Sequence, residues 1–309
     1  MACQYRESHS RSLSTLYVTE TLRGLYRRVV LLGTDARAML SILASIIGGY
    51  SGNRAMDHHE KLTWACKHLD RLEQEIRAFI ESGPYTPLFE KQVEPGEWVT
   101  RITVRHAIPA YWSLIVGDVL HNLRSALDNL AYALVEKESG PPPKPTHVQF
   151  PIFDAPDDFK AKRKRYLAGM NARAVAVIEG LQPFNRPDRK WHSLLSLLNH
   201  LSKIDKHRHI IVTTMAGAMT NIRVDGMALV PERTTVVSRK VPIVDGAILA
   251  RIRTEGPVPA KVTMRADIPV DVQFGGERPV KGASVHGVLE GIHDHIRDTV
   301  FVPLDECLK

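Results

Sequence analysis

One stretch limits what this chain can become. Between Pro109 and the break SGPPPKP (139–145), Val116, Val119, Leu120, Leu123, Leu127, Leu130 and Leu134 recur at three- and four-residue steps. That spacing gathers all seven on one broad face of a single helix. An apolar face of this width has to be covered by other elements, so the fold is built around a helical layer. The run of prolines after Gly140 ends the helix, because proline has no N–H to continue the ladder and clashes with the preceding turn.

Candidate partners for that face lie on both sides. Leu62, Ala65, Leu69, Leu72, Ile76 and Phe79 form the stripe of an amphipathic helix over 57–80. Leu194, Leu195, Leu198, Leu201 and Ile204 do the same from Trp191 to about Lys206, and Val285, Val288, Leu289, Ile292 and Ile296 over 284–299. Two shorter helices are expected at roughly 156–167 and 171–180. A hairpin, LFEKQV and WVTRITVRHAI around the turn EPGE, separates the first two long helices. After His209 the texture changes to short β-branched runs punctuated by Gly, Pro, Asp and Asn, as in an antiparallel meander with one buried face.

The expected fold class is therefore α+β: an N-terminal helical bundle with a small hairpin, followed by an antiparallel β-sheet covered by a C-terminal helix. The boundaries are a poorly ordered or misassigned extension at 1–55, the bundle at 56–208, and sheet plus helix at 209–309. The second and third parts stand either as two units or as one continuous domain.

Composition narrows function only slightly. A formal charge of +7 favours acidic partners. Cys3, Cys66 and Cys307 are scattered, with no C-x-x-C pair, so neither a disulfide framework nor a structural zinc site is indicated and a cytoplasmic setting fits. The most apolar window, AMLSILASIIGG (38–49), is too short to cross a bilayer. The sequence has no phosphate-binding G-x-x-x-x-G-K-[ST], no H-E-x-x-H and no G-x-S-x-G.

What remains is a polar constellation. Opposite the leucines, the helix after Pro109 carries Asp118, His121, Asn122, Ser125, Asp128 and Asn129. Asp118 and His121, three apart, are weak candidates for a divalent metal, with Asp205, His207, His192 or His200 as the remaining donors. No metal or cofactor is otherwise implied. Arg124 and Asp128 are placed to pair along the helix. In IDKHRH (204–209) the basic residues suit a helix C-terminus, where the dipole is negative. Asp205 sits there against that dipole, which points to a specific partner, Arg124 or His121. The run KAKRKR, with Lys160, Lys162, Arg163, Lys164 and Arg165, is a candidate nucleic-acid contact and, more plainly, a solvated helix face.

GDVLHNLRSALDNLAYALV, FPIF, LQPF and LLNHLSKIDKHR, in that order, resemble a set of uncharacterised bacterial and phage proteins that carry a G-D-x-L-H-N-L-R-S-A-L-D helix and a later D-K-H-R. The resemblance spans about Met56 to the early strands and implies no activity. A looser similarity is to the HEPN helical bundles, whose ribonuclease members use R-x4–6-H. Arg186 to His192 and Arg101 to His106 meet that spacing, without the Asn or Asp usually found beside the Arg.

The leading expectation is a non-enzymatic interaction or binding module in which the Asp/His/Arg groups form a structural network. The alternative is a HEPN-like ribonuclease or RNA-directed hydrolase of toxin or phage-defence type, with His121, Arg124, Asp205 and His207 as catalytic candidates. A metal-dependent hydrolase stands third. Partner and oligomeric state stay open.

Overall fold

The computed structural model describes residues 57–91, 97–185, 193–208, 210–217, 220–225, 234–238, 240–254, 263–276 and 278–309. The extension at 1–55, most of the EPGE turn, the Arg186–His192 spacing with Trp191, and His209 lie outside the described residues. Helices α1 (Asp57–Glu81), α2 (Trp112–Ser139), α3 (Pro156–Tyr166), α4 (Ala172–Gly180) and α5 (Leu194–His207) precede most of the strands. Helix α6 (Val285–His295) runs into a π-helical turn at Ile296–Phe301 and a last short helix, α7 (Val302–Asp305). The fold is α+β, with antiparallel sheets and a C-terminal helix.

Helix α2 is the axis of the bundle. Its leucines at 120, 123, 127, 130 and 134 are completely buried, and Ala126, Ala131 and Ala133 are buried as well. Small side chains between the leucines let neighbouring helices approach on a second side, so α2 is covered round more than its leucine face. Leu62, Ala65, Leu69 and Leu72 of α1, Leu195, Leu198 and Leu201 of α5, and Leu289, Ile292 and Ile296 at the C-terminal end join the same core. The local stops are as the chemistry requires. Gly140 adopts φ 75° directly after α2, and its N–H closes on the Glu136 carbonyl. The side chains of Asn171 and Ser193 cap α4 and α5.

The strands do not form a sequential meander. The hairpin strands β1 (Tyr85–Lys91) and β2 (Glu97–Val104) belong to a four-stranded sheet with β7 (Ile248–Thr254) and β5 (Thr234–Ser238), in the order β1-β2-β7-β5. Trp98, Val99 and Thr100 of β2 are buried in succession, which marks a strand that needs cover on both faces and a neighbour at each edge. Phe89 stacks on Trp98 across the hairpin at 4.8 Å. Strand β3 (Val212–Ala216) lies between β6 (Val241–Pro242) and β9 (Val270–Phe274), while β4 (Thr220–Asp225) pairs with β8 (Thr263–Asp267). His58–Lys309 form one compact unit. Phe274 of β9 and Val285 of α6 enter the same hydrophobic core as α2. Among the described residues no helix is long and apolar enough to cross a membrane.

Leu127 tests the role of α2. Truncating this fully buried side chain to alanine should cost about 2–5 kcal/mol. The urea midpoint should fall with little change in the slope of the transition; an unmoved midpoint would mean that the leucine face of α2 is not the core.

Candidate functional site

Between Val148 and Phe153 the chain is extended but pairs with no strand. Its buried backbone groups must therefore find side chains, and they do. Asp128 Oδ1 accepts the Phe150 N–H at 2.9 Å, while the Arg124 guanidinium donates to the Phe150 carbonyl at 2.6 Å and to Asp128 at 3.0 Å. The pair, one helical turn apart on α2, mimics the donor and acceptor of a neighbouring strand. Buried Gln182 repeats the device: its Nε2 donates to the Pro151 carbonyl at 2.9 Å and its Oε1 accepts the Phe153 N–H at 3.1 Å. From α5, Asn199 reaches the Ile152 carbonyl at 3.5 Å and Ser196 Oγ donates to Asp154 at 2.7 Å. Phe150 and Ile152 anchor the segment in the core.

The segment so held is one wall of a cleft of about 570 Å³, whose other walls are α2, α3 and α5. Arg124, Lys162, Lys203 and Lys206 line it, with Asp128, Asp154 and Asp158 as the acids. Arg124 and Asp128 neutralise each other, and Asp154 is engaged by Ser196. Lys162 lies over the Phe153 ring, 5.3 Å from its centre. Ser202, also on the wall, is buried, and its Oγ has no protein partner.

The residues singled out in the sequence separate into groups. Arg124 and Asp128 are brought together and made structural. Asp118, His121 and Asp205 are exposed, and His121 Nε2 meets Ser125 Oγ at 3.5 Å. No third His, Cys, Asp or Glu joins Asp118 and His121 among the described residues. Helices α2 and α5 lie side by side, and the Arg124 fork engages Asp128 and the Phe150 carbonyl. The Asp205 carboxylate rests on Gly117, where an added Cβ would sit 2.6 Å from Oδ1. His207 borders a second, more apolar cleft of about 360 Å³ with His200, Ile204, Ile211 and Phe274; Lys203 is common to both openings.

The basic run is divided as well. Lys160 pairs with Asp157 at 3.7 Å and Arg163 with Glu179 at 3.1 Å, while Arg165 lies over Tyr166. Only Lys162 of the five lines the cleft. Arg101 of the other R-x4–6-H spacing binds Glu90 and the Gly246 carbonyl on β2. His293, on α6, is buried, and its Nδ1 meets Asp294 at 3.0 Å.

One cluster was missed altogether. His58 and His59 open α1, and both reach Asp305 of α7: His58 Nε2 to Oδ1 at 3.0 Å and His59 Nε2 to Oδ2 at 3.1 Å. Burial pushes the Asp305 carboxyl up, but hydrogen bonds from His58 and His59, with their charge, outweigh it and hold the group well below the usual carboxylate range. The only signal in the sequence is the adjacent histidine pair. No known protein family, curated protein or solved structure matches the chain.

Two outcomes follow from this geometry. Asp128→Ala strands both the Arg124 charge and the Phe150 N–H, and should lower stability by about 2–3 kcal/mol. Asp128→Asn, which keeps an acceptor for Phe150, should lose less; equal urea midpoints for wild type and Asp128→Ala would remove the strand-mimic role. For Asp305, a depressed folded-state pKa means a contribution that is complete at neutral pH and fades as pH falls below the ordinary carboxylate value. Asp305→Asn should therefore be less stable than wild type by about 1–2 kcal/mol at pH 7, with the gap closing in acid. A gap that persists unchanged to low pH would contradict this.

Proposed function

We propose that the protein is a binding module that works without catalysis and holds a phosphate-bearing ligand in the cleft between α2, Val148–Ala155, α3 and α5. One observation carries this: Lys162 on α3 and Lys203 and Lys206 on α5 line a predominantly polar cleft. Lys203 and Lys206 sit three apart on one helix, so both ammonium groups reach the same wall. Flexible ammonium groups opposite one another suit a phosphate as point charges, without the fixed fork geometry an arginine would impose. The arginine of this cleft serves the backbone instead. The Asp/His/Arg motif is thus a scaffold, and binding falls to the lysines it leaves beside the opening.

A ribonuclease would ask His121, His207 and Arg124 to meet at one opening, whereas Arg124 and His207 border different clefts and His121 points to solvent.

Fluorescence anisotropy with a labelled single-stranded RNA of about ten nucleotides tests the proposal. Binding should weaken as salt rises, and Lys203→Glu with Lys206→Glu should weaken it by about tenfold or more. Lys164→Glu, outside the cleft, should have a smaller effect. Equal binding by wild type and the double variant removes the cleft as the site. RNA cut by wild type but not by His207→Ala would replace the binding reading with a hydrolytic one.

A further inference from the structure

The cluster at the start of α1 stands apart from the cleft and has a different chemistry. His58 and His59 occupy the first turn of α1, and Asp305 ends α7, which follows the π-helical turn Ile296–Phe301. A π-helical turn shifts the phase of the side chains that follow it, and such turns are frequent at functional sites. Here the shifted helix carries Asp305 to the two imidazoles. Phe301, inside the π turn, sets its ring edgewise against both, with centres 5.0 Å from His58 and 5.1 Å from His59. The apolar ring covers one side of the cluster, and the exposed side is left to His59 and Asp305, whose side chains are 45% and 30% accessible.

We propose that His58, His59 and Asp305 form a binding site for a divalent transition ion of the zinc class. One ligand atom from each residue lies within 4.8 Å of the other two. Zinc holds nitrogen and oxygen ligands at about 2.0–2.2 Å in a tetrahedron, so its ligand atoms stand about 3.3–3.5 Å apart. His58 Nε2 stands 3.0 Å from Oδ1 and His59 Nε2 3.1 Å from Oδ2, so whichever oxygen ligates already has one imidazole near that spacing. The remaining adjustment falls on His59, the more exposed of the two imidazoles. Two imidazoles and one carboxylate select zinc, cobalt or nickel over magnesium and calcium, which take oxygen ligands. Three protein ligands leave a fourth position toward solvent for water, the arrangement of an open site rather than a closed structural one. His58, buried and engaged in polar contact only through Nε2 toward Asp305, is the fixed member.

The test uses the full chain stripped with chelator, zinc chloride as titrant, and the exposed-side variants His59→Ala and Asp305→Asn, since truncating buried His58 risks the fold. Isothermal titration should give one saturable zinc equivalent. Either variant, folded by circular dichroism, should weaken it by about tenfold or more, while His121→Ala leaves it unchanged. Cobalt should produce the visible absorption of a tetrahedral centre in wild type and not in His59→Ala. Zinc should also raise the melting temperature, and magnesium should not. Absence of saturable zinc binding, or equal affinity in wild type and both variants, overturns the assignment. A cobalt spectrum that survives in His59→Ala does the same.

Discussion

An extended strand without a neighbouring strand is unstable in a protein interior, because each buried N–H or C=O left unpaired costs about as much as a lost hydrogen bond. Phe150–Phe153 is such a stretch, and the helices around it are arranged to supply what a second strand would have supplied. Arg124 and Asp128 provide donor and acceptor from α2, Gln182 does so from beyond α4, and Asn199 contributes from α5. Three separate parts of the chain are thereby fixed relative to one segment. The cleft follows from this: backbone held by side chains at a distance leaves room in front of it that a paired strand would have filled.

The same demand explains why α2 has two kinds of surface. Its leucine face is a hydrophobic seam shared with α1, α5 and α6. Its opposite side is not a uniform solvated face, since Asp118 and His121 meet water while Arg124 and Asp128, one and two turns on, are drawn against Phe150. Gly117 lets Asp205 come close at the other end of the helix. Polar groups along one helix thus do different work according to what packs opposite them, which periodicity alone does not specify.

That is where the sequence was legible and where it was not. The long helices, the proline break and the hairpin could be read because each depends on neighbours a few residues apart. The Arg124–Asp128 pair was readable for the same reason. Strand order was not: β2 finds its second neighbour in Ile248–Arg253, and the backbone of β2 carries no label for that partner. Asp205 was expected to meet Arg124 or His121 of α2, and its carboxylate also lies against Gly117, a closeness that no spacing announces. His58 and Asp305 stand 247 residues apart, so nothing local announced them.

Asp305 also joins the first described helix to the last. The two histidines direct hydrogen bonds to its carboxylate, and Phe301 sets its ring edgewise against both imidazoles, which strengthens these interactions by keeping water from one side. The clasp closes the bundle at the end of α1, while the Phe150 segment is held between α2 and α5. A ligand entering the cleft therefore meets walls fixed by the strand-mimic contacts and not by the clasp. Loosening Asp305 should change the stability of the whole without changing the shape of the opening, whereas loosening Asp128 changes both.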